Sequence, residues 1–281
     1  MPALDQLADP VQSPARIRRR PTFLIAFVLV LSLAGFGVWQ VGTFGNPGCI
    51  VPGTTCTRVL FIGDSYTYVN DLPTTFANLA GSGGYRVDTA TLATGGETLA
   101  GHVVDSTTAT TIASEPWDSI VLQDQSENPA VSAGRQSEMD PAITQLATMI
   151  RSDRAEPLLF LTWAHQSGWP EAGLPTYTSM QAAVDQAYLG IAARLALPIA
   201  PVGDAWQTAL AAHATPELWQ SDGVHPTTAG TFLAACVFYA SIFHHSPVGL
   251  SYDDGLPAAD ATMLQKIAAS TVLTDPIKWG L

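Results

Sequence analysis

The chain has 281 residues, of which 47% are apolar and only 13% are charged. That length suits one large domain or two small ones, and the apolar share excludes a disordered polar chain. The net charge is −12 and the chain has only 12 Lys and Arg residues, so it lacks the concentrated basic face of a nucleic-acid-binding protein, and nucleic acid is not expected as a partner.

The N-terminus pairs a basic cluster with an apolar run. Four arginines lie within residues 16–20, and the next charged residue is Arg58. This pattern predicts a cytoplasmic basic tail over residues 1–20 and a transmembrane anchor or signal segment over residues 21–42, with the remainder outside the cytoplasmic membrane. The apolar run continues past the small-residue pattern Ser32-Leu33-Ala34, which favours a retained membrane anchor. A cleaved signal peptide and a secreted protein are the alternative.

Residues 43–57 are predicted to form an extracytoplasmic stalk ahead of a domain over residues 58–281. The stalk is rich in Pro, Gly and Thr and contains Cys49 and Cys56. Outside the cytosol such a pair can close a small disulfide loop. The third cysteine, Cys236, lies in an apolar stretch and is expected to be a buried helix residue.

From residue 58 onward, short apolar runs alternate with longer amphipathic stretches. The predicted strands are Arg58–Ile62, Tyr85–Leu92, Trp117–Leu122, Pro157–Thr162 and Leu197–Val202. The predicted helices are Leu72–Leu79, Ser137–Ile150, Tyr177–Leu195, Asp204–Ala214, Thr227–Phe243 and Ala258–Ser270. Apolar strands that alternate with helices are typical of a parallel sheet covered on both faces, so the pattern predicts a three-layer α/β/α sandwich. Ligands of such sheets bind at the carboxyl ends of the strands.

Two motifs at such positions carry groups for nucleophilic catalysis. Gly63-Asp64-Ser65 follows the first strand, which would expose the Ser65 hydroxyl at a strand-to-helix junction. Asp222 and His225 precede the last long apolar helix and stand three residues apart, so the carboxylate can orient the imidazole that a nucleophilic serine needs as its base. Each motif alone also fits an ordinary turn.

Two further loops offer donors for an oxyanion. Gly95 and Gly96 follow the second strand, where backbone N–H groups can approach a ligand closely; plain turn use is the alternative. Gln123-Asp124-Gln125-Ser126 follows the third strand, and the side-chain amide of Gln125 is the expected donor. The alternative is a polar loop held by its own hydrogen bonds.

Taken in this order, the four segments resemble the four blocks of the SGNH (GDSL-type) hydrolase superfamily, which are a Gly-Asp-Ser, a Gly, an Asn and an Asp-x-x-His on a flavodoxin-like sheet. The resemblance covers residues 58–245. It implies that Ser65 is the nucleophile, His225 the base and Asp222 the carboxylate that orients it. It also implies oxyanion donors in the N–H groups of the nucleophile and of Gly95 or Gly96.

The third block departs from the pattern, because Gln125 stands at the position of the superfamily's Asn. The chain is similar here to a bacterial subgroup with a Gln-rich third block and a Gly-Gly-x-Thr-Leu run ahead of a histidine, which is His102 in this sequence. Asp64, His102, Trp163 and His165 are candidate substrate contacts. A packed helix residue fits His102 equally well, and for Trp163 a packed core residue is the favoured interpretation.

The resemblance implies a serine esterase that works through an acyl-enzyme and needs no metal or organic cofactor. The predicted location and the resemblance point to acetyl or other small acyl groups on a carbohydrate or another acylated small molecule. Three alternatives stay open. They are a carbohydrate O-acyltransferase with the same triad, an inactive surface carbohydrate-binding protein, and a metal hydrolase built on Asp64, Asp222 and His225.

Overall fold

The computed structural model describes Cys49, residues 55–212 and residues 216–281. The predicted tail and apolar segment, residues 1–42, lie outside these residues, as does most of the stalk. Among the described residues, no helix combines the length and the apolar character needed to cross a membrane. Cys49 and Cys56 form a disulfide with their Cα atoms 5.3 Å apart, and Cys236 is a free, buried cysteine.

Five parallel strands form one sheet in the order β2-β1-β3-β4-β5. The strands are β1 (Thr57–Gly63), β2 (Val87–Ala93), β3 (Ser119–Leu122), β4 (Glu156–Leu161) and β5 (Ile199–Pro201). This is the flavodoxin-like order, in which the chain reverses direction across the sheet between β1 and β3. The predicted fold class and all five predicted strands are confirmed.

Ten α-helices connect and cover the described strands. They are α1 (Ser65–Tyr68), α2 (Leu72–Ser82), α3 (Leu99–Val104), α4 (Ser106–Ser114), α5 (Ser132–Gly134), α6 (Asp140–Ser152), α7 (Tyr177–Leu195), α8 (Val202–Ala211), α9 (Thr228–Phe243) and α10 (Ala258–Leu273). Short 3₁₀ segments lie at Val69–Asp71, Asn128–Ala130, Pro170–Ala172 and Pro276–Trp279, and a π-helical segment at Arg135–Met139 leads into α6.

Alternate residues of each strand contribute to two separate cores, because successive side chains point to opposite faces of a sheet. Val59 and Phe61 of β1 face the layer formed by α2, α8, α9 and α10. Leu60 and Ile62 of the same strand face α3, α4, α6 and α7. All four strand side chains are fully buried. Apolar residues on both faces explain why the central strands β1, β3 and β4 show no polar alternation in the sequence.

The carboxyl ends of β1 and β3 lie side by side at the reversal point of the strand order. In open α/β sheets the ligand crevice lies outside this point. Ser65 follows β1 after one intervening residue, Asp64, and Gln123 follows β3 directly. The fold therefore brings the first and third sequence blocks to the same edge of the sheet.

Candidate active site

The turn that holds Ser65 is built by its neighbours. Asp64 caps α1, and its Oδ1 accepts a hydrogen bond of 2.9 Å from the backbone N–H of Tyr66. Gly63 approaches the side chains of Gln123 and Thr67 so closely that a Cβ at position 63 would overlap both. Only glycine fits at this position, and it allows β1 to turn directly into the helix that starts with the serine.

Ser65, His225 and Asp222 form a chain of two side-chain contacts. Ser65 Oγ lies 3.1 Å from His225 Nε2, and His225 Nδ1 lies 2.7 Å from Asp222 Oδ2. The second contact places the ring proton on Nδ1 and leaves Nε2 as the acceptor that faces the serine. The structure therefore joins residues 160 positions apart in the order that a serine nucleophile, its base and an orienting carboxylate require.

Asp222 is held in its ionised form. Its Oδ1 accepts hydrogen bonds from the backbone N–H groups of Val224 at 2.9 Å and His225 at 3.0 Å. Burial alone would raise the pKa of this carboxyl, but the hydrogen bond from the His225 ring and the two backbone bonds lower its pKa to about 2. The carboxylate is thus charged at any pH where the neighbouring imidazole acts as a base.

The loop that carries Asp222 and His225 is tied to the loop after β4. Trp163 Nε1 donates to the carbonyl of Val224 at 3.0 Å, and the N–H of Gln166 donates to the carbonyl of Gly223 at 2.8 Å. Trp219 Nε1 donates in the opposite direction, to the carbonyl of Ala164 at 3.2 Å. These bonds hold the histidine loop against the sheet edge.

Gln123 is a residue of this site that the sequence interpretation missed. Its Oε1 accepts from the N–H of Asp64 and from the Thr67 hydroxyl, each at 2.8 Å. Its Nε2 donates to Asp64 Oδ1 at 2.7 Å and to the Asp124 carbonyl at 2.6 Å. The side chain is fully buried, so this one amide fixes the turn that presents Ser65. The sequence feature that could have identified Gln123 is its position directly after a buried strand.

Two buried carboxyl groups lie beneath the serine turn. Burial is the main cause that raises the pKa of both Asp64 and Asp124 to about 6, against hydrogen bonds that favour the charged forms. Asp124 Oδ1 accepts from the N–H of Leu99 at 2.8 Å, and its Oδ2 accepts from Asn128 Nδ2 at 3.0 Å. The two groups brace the loops after β1, β2 and β3.

The predicted backbone donors to an oxyanion are the N–H groups of Ser65, Gly95 and Gly96. Gly95 and Gly96 are exposed, and Gly96 has a φ of 71°, a conformation that favours glycine. Among the described residues the N–H groups of these two glycines have no hydrogen-bond partner. The N–H of Ser65 is at the first position of α1 and has no partner within the helix.

The Gln125 side chain is partly engaged by its own loop. Its Oε1 accepts from the N–H groups of Glu127 at 2.8 Å and Asn128 at 3.1 Å. Its Nε2 makes one long contact of 3.4 Å with Ser126 Oγ. The oxygen end of the amide is therefore fixed, while the donor end retains hydrogen-bonding capacity.

Three of the four candidate substrate contacts have side chains that are buried and that contact other residues within the fold. Asp64 bonds Tyr66 and Gln123 as described above. His102 Nε2 contacts the carbonyl of Gly63 at 2.9 Å and supports the serine turn from below. Trp163 stacks between the rings of Tyr66 and Trp206, with centroid distances of 4.3 and 4.2 Å. All three side chains are at most 3% exposed.

His165 and Tyr68 remain accessible. His165 is partly exposed and its Nε2 lies 3.3 Å from Ser126 Oγ. Burial, together with the nearby His225, lowers the pKa of His165, so its ring is neutral at neutral pH.

Tyr68 was not predicted. Its ring is 44% exposed, and its hydroxyl lies 2.9 Å from where a Cβ of Gly95 would be. The sequence feature that could have identified Tyr68 is its position on the helix that starts with Ser65.

The metal-hydrolase alternative requires Asp64 to act together with Asp222 and His225. Asp64 is instead directed into the fold, where it caps α1 and bonds Gln123. Over the described ranges, no three His, Cys, Asp or Glu side chains are grouped so that they could hold a metal ion.

Comparison with known proteins identifies structural relatives. No family model and no curated protein sequence matches the chain. A protein from Slackia heliotrinireducens assigned to the SGNH hydrolases is 28% identical, with a TM-score of 0.57, over 67% of this chain and 100% of its own. A DUF4886 family protein from Bacteroides uniformis is 20% identical, with a TM-score of 0.67, over 78% and 95%. A variant of an acetyl-xylooligosaccharide esterase from Geobacillus is 15% identical, with a TM-score of 0.50, over 66% and 94%. The last two share the fold.

Proposed function

Since the chain is a serine hydrolase of the SGNH (GDSL-type) superfamily and of the carboxylic ester hydrolase type, we propose that it removes acetyl or other small acyl groups from carbohydrate outside the cytoplasmic membrane. The observation that carries the proposal is the contact chain from Ser65 through His225 to Asp222, with distances of 3.1 and 2.7 Å. Hydrolysis of an ester by a serine needs these three groups in this order.

In the proposed reaction, His225 Nε2 takes the proton of Ser65 as Oγ attacks the ester carbonyl. The tetrahedral intermediate then breaks its bond to the alcohol, which leaves with the proton from His225. A water molecule, deprotonated by the same imidazole, attacks the acyl-enzyme, and the acid leaves as Ser65 regains its proton. Asp222 stays ionised and stabilises the imidazolium in both halves of the reaction.

The oxyanion of each intermediate is proposed to bind the N–H of Ser65, the N–H of Gly95 or Gly96, and the side-chain amide of Gln125. Among the described residues the N–H groups of the two glycines have no hydrogen-bond partner, which supports their role as backbone donors. Two hydrogen bonds from backbone N–H groups to Gln125 Oε1 hold the amide in one orientation, which supports its Nε2 as the side-chain donor. Preorganised donors of this kind are commonly the largest contribution to catalysis of acyl transfer.

The substrate and the location rest on separate observations. The acetyl group and the carbohydrate are suggested by the shared fold of the acetyl-xylooligosaccharide esterase and by the openness of the site, where the Asp222 side chain is 46% exposed. His165, on the same edge, is the proposed substrate contact.

The location rests on the arginines of residues 16–20 followed by the apolar run. An alkaline phosphatase fusion to residue 57, active only outside the cytoplasm, tests it.

The function is tested by hydrolysis of p-nitrophenyl acetate and of acetylated xylose. The full-length chain, purified in a mild detergent, is compared with Ser65→Ala, each with and without EDTA. We expect activity that EDTA leaves unchanged and that Ser65→Ala abolishes. Loss of activity in EDTA would favour the metal hydrolase. An inactive chain that still takes a fluorophosphonate on Ser65 would favour the acyltransferase, which should then transfer acetyl to an added sugar.

A further inference from the structure

Asn70 connects the segment that holds Ser65 to the segment that holds His225. Its Nδ2 donates to the carbonyl of Pro226 at 2.8 Å and contacts Thr231 Oγ1 at 3.0 Å. These partners lie 156 and 161 residues further along the chain. Pro226 is the residue after His225, so the amide reaches the backbone next to the base.

Hydrogen bonds between the two segments are few. Within the described residues, the bonds between residues 64–71 and residues 216–231 are the Ser65–His225 contact and the two bonds of Asn70. The serine is held from below by Gln123, and the histidine loop is held from behind by the loop after β4. Trp163 of that loop also stacks on Tyr66, with ring centroids 4.3 Å apart, so this support links the two segments through ring packing and not through a hydrogen bond between them. The Asn70 amide therefore makes the only hydrogen bonds in this part of the chain that set the distance between the two segments besides the catalytic contact itself.

The backbone at this position is held in an unfavourable conformation. Asn70 has a φ of 56° and the following residue, Asp71, a φ of 53°. Asn and Asp tolerate this left-handed region better than other side chains, yet two such residues in succession are uncommon. Left-handed residues that are not glycine persist where the surrounding structure requires them, and they cluster at functional sites. The kink ends the short serine helix and directs the Asn70 side chain toward Pro226.

We propose that Asn70 is a positioning residue, which holds His225 Nε2 at proton-transfer distance from Ser65. The proposal rests on the proposed esterase function and adds to it a residue outside the triad and the oxyanion donors. Reacting groups must be placed to within a fraction of an ångström, and a displacement of about 1 Å can cost about 10² in rate. Substrate binding does not depend on this contact, so the effect belongs in kcat.

The Pro226 carbonyl keeps a partner when Asn70 is changed, because Gln220 Nε2 also donates to it at 2.9 Å. Asn70 itself is exposed. Removal of its amide therefore leaves this carbonyl hydrogen-bonded and costs only the bond to the buried Thr231 hydroxyl, so the fold should be kept. Asn70→Gly keeps the positive φ and removes the donor, and Asn70→Asp keeps the shape and replaces the donor by oxygen. Asn78→Ala is the matched control, since Asn78 also bonds across to a distant residue, Tyr252, away from the triad.

The test measures kcat and KM for p-nitrophenyl acetate, the thermal midpoint, and the fraction of sites titrated by a fluorophosphonate. We expect both Asn70 variants to lower kcat about 10- to 100-fold, with KM within twofold, full titration at a slower rate, and a midpoint near that of the parent chain. In a His225→Ala background, Asn70→Gly should change the residual rate less than twofold, because the base that it positions is gone.

Three results would overturn the proposal. The first is a kcat in both Asn70 variants equal to that of Asn78→Ala, which would leave the esterase function intact. The second is a loss explained by a lower midpoint and a smaller titrated fraction, which would make Asn70 structural. The third is a parent chain that neither hydrolyses the ester nor takes the fluorophosphonate on Ser65, which would remove the proposed function as well.

Discussion

Gln123 Oε1 accepts a hydrogen bond from the backbone N–H of Asp64 at 2.8 Å, across 59 residues of sequence. The same amide donates from Nε2 to the Asp64 carboxyl at 2.7 Å, so it holds both the backbone and the side chain of the residue that precedes the serine. Gln125, only two residues later, is bound at its oxygen by its own loop. The two glutamines should therefore respond differently to the same substitution.

Gln125→Glu replaces the Nε2 donor by oxygen and keeps the acceptor for the loop N–H groups. Loss of one oxyanion donor typically costs about 10²–10³ in kcat, so we expect a fall of that size with KM and the thermal midpoint nearly unchanged. Steady-state kinetics with p-nitrophenyl acetate measure it, beside Gln145→Glu on the exposed face of α6 as the control for added charge. A fall below threefold would mean that backbone N–H groups alone bind the oxyanion.

Gln123→Glu makes the same chemical change in a buried position. The new oxygen would face Asp64 Oδ1 and the Asp124 carbonyl, both of which now accept hydrogen bonds from Nε2. Burying such unmatched acceptors costs about 1–3 kcal/mol, and more when a charge is involved. We expect the free energy of unfolding, measured by urea denaturation, to fall by about 3 kcal/mol. Stability equal to that of Gln125→Glu would contradict the role of Gln123 as the support of the serine turn.

Asp222→Asn removes the charge that orients and stabilises the His225 imidazolium. Asn can still accept the N–H bonds of Val224 and His225 through its oxygen, so the loop should keep its shape. In the Ser-His-Asp triad of a serine protease the same change costs about 10⁴ in kcat, and we expect a loss of that order between about pH 6 and pH 9. Because the pKa of Asp222 is about 2, the carboxylate does not itself titrate in this range. A loss under tenfold would argue against the triad.

The fold was predictable because its central strands β1, β3 and β4 are apolar on both faces. Leu60 and Phe61 are neighbours in β1 but belong to opposite cores. When successive residues are all buried, the sequence shows a continuous apolar run, which is typical of a parallel sheet covered on both faces. Helices α3 and α4 were missed, because α4 is rich in Ser and Thr, which have weak helical preference. It forms because Asp105 caps it, with its Oδ1 accepting from the N–H of Thr107, and because Ile112 is buried.

The site was predictable where residues adjacent in sequence also act together. Asp222 and His225 share one loop, so their spacing indicated their contact. Gln123 and Asn70 could not be assigned in this way, because each acts on a residue at least 59 positions away. Trp163 is a different case. It follows a strand at the correct edge of the sheet, and its ring turns inward to stack on Tyr66 and Trp206. The tendency of Trp to be buried favoured this direction, but no feature of the sequence indicated which rings it would contact.

The buried carboxyls make stability depend on pH in a direction opposite to that of an exposed ion pair. Burial raises the pKa of Asp64 and Asp124 to about 6, above the value of about 3.9 expected in the unfolded chain. Between these values the folded state binds more protons than the unfolded state, so stability falls as the pH rises. The contribution of each group is complete below about pH 4 and is lost as the pH rises through about 6.

Asp124→Asn removes one of these titrations. We expect its free energy of unfolding, minus that of the parent chain, to rise by about 2–3 kcal/mol between about pH 4 and pH 7, because a shift of two pKa units corresponds to about 2.7 kcal/mol. Urea denaturation at several pH values measures this difference, in which the titrations that Asp124 does not influence cancel. Asp153→Asn, on an exposed side chain, is the control for the substitution itself. A constant difference for Asp124→Asn would mean that its carboxyl is ionised in the fold at low pH, held by the Leu99 and Asn128 hydrogen bonds against the cost of burial.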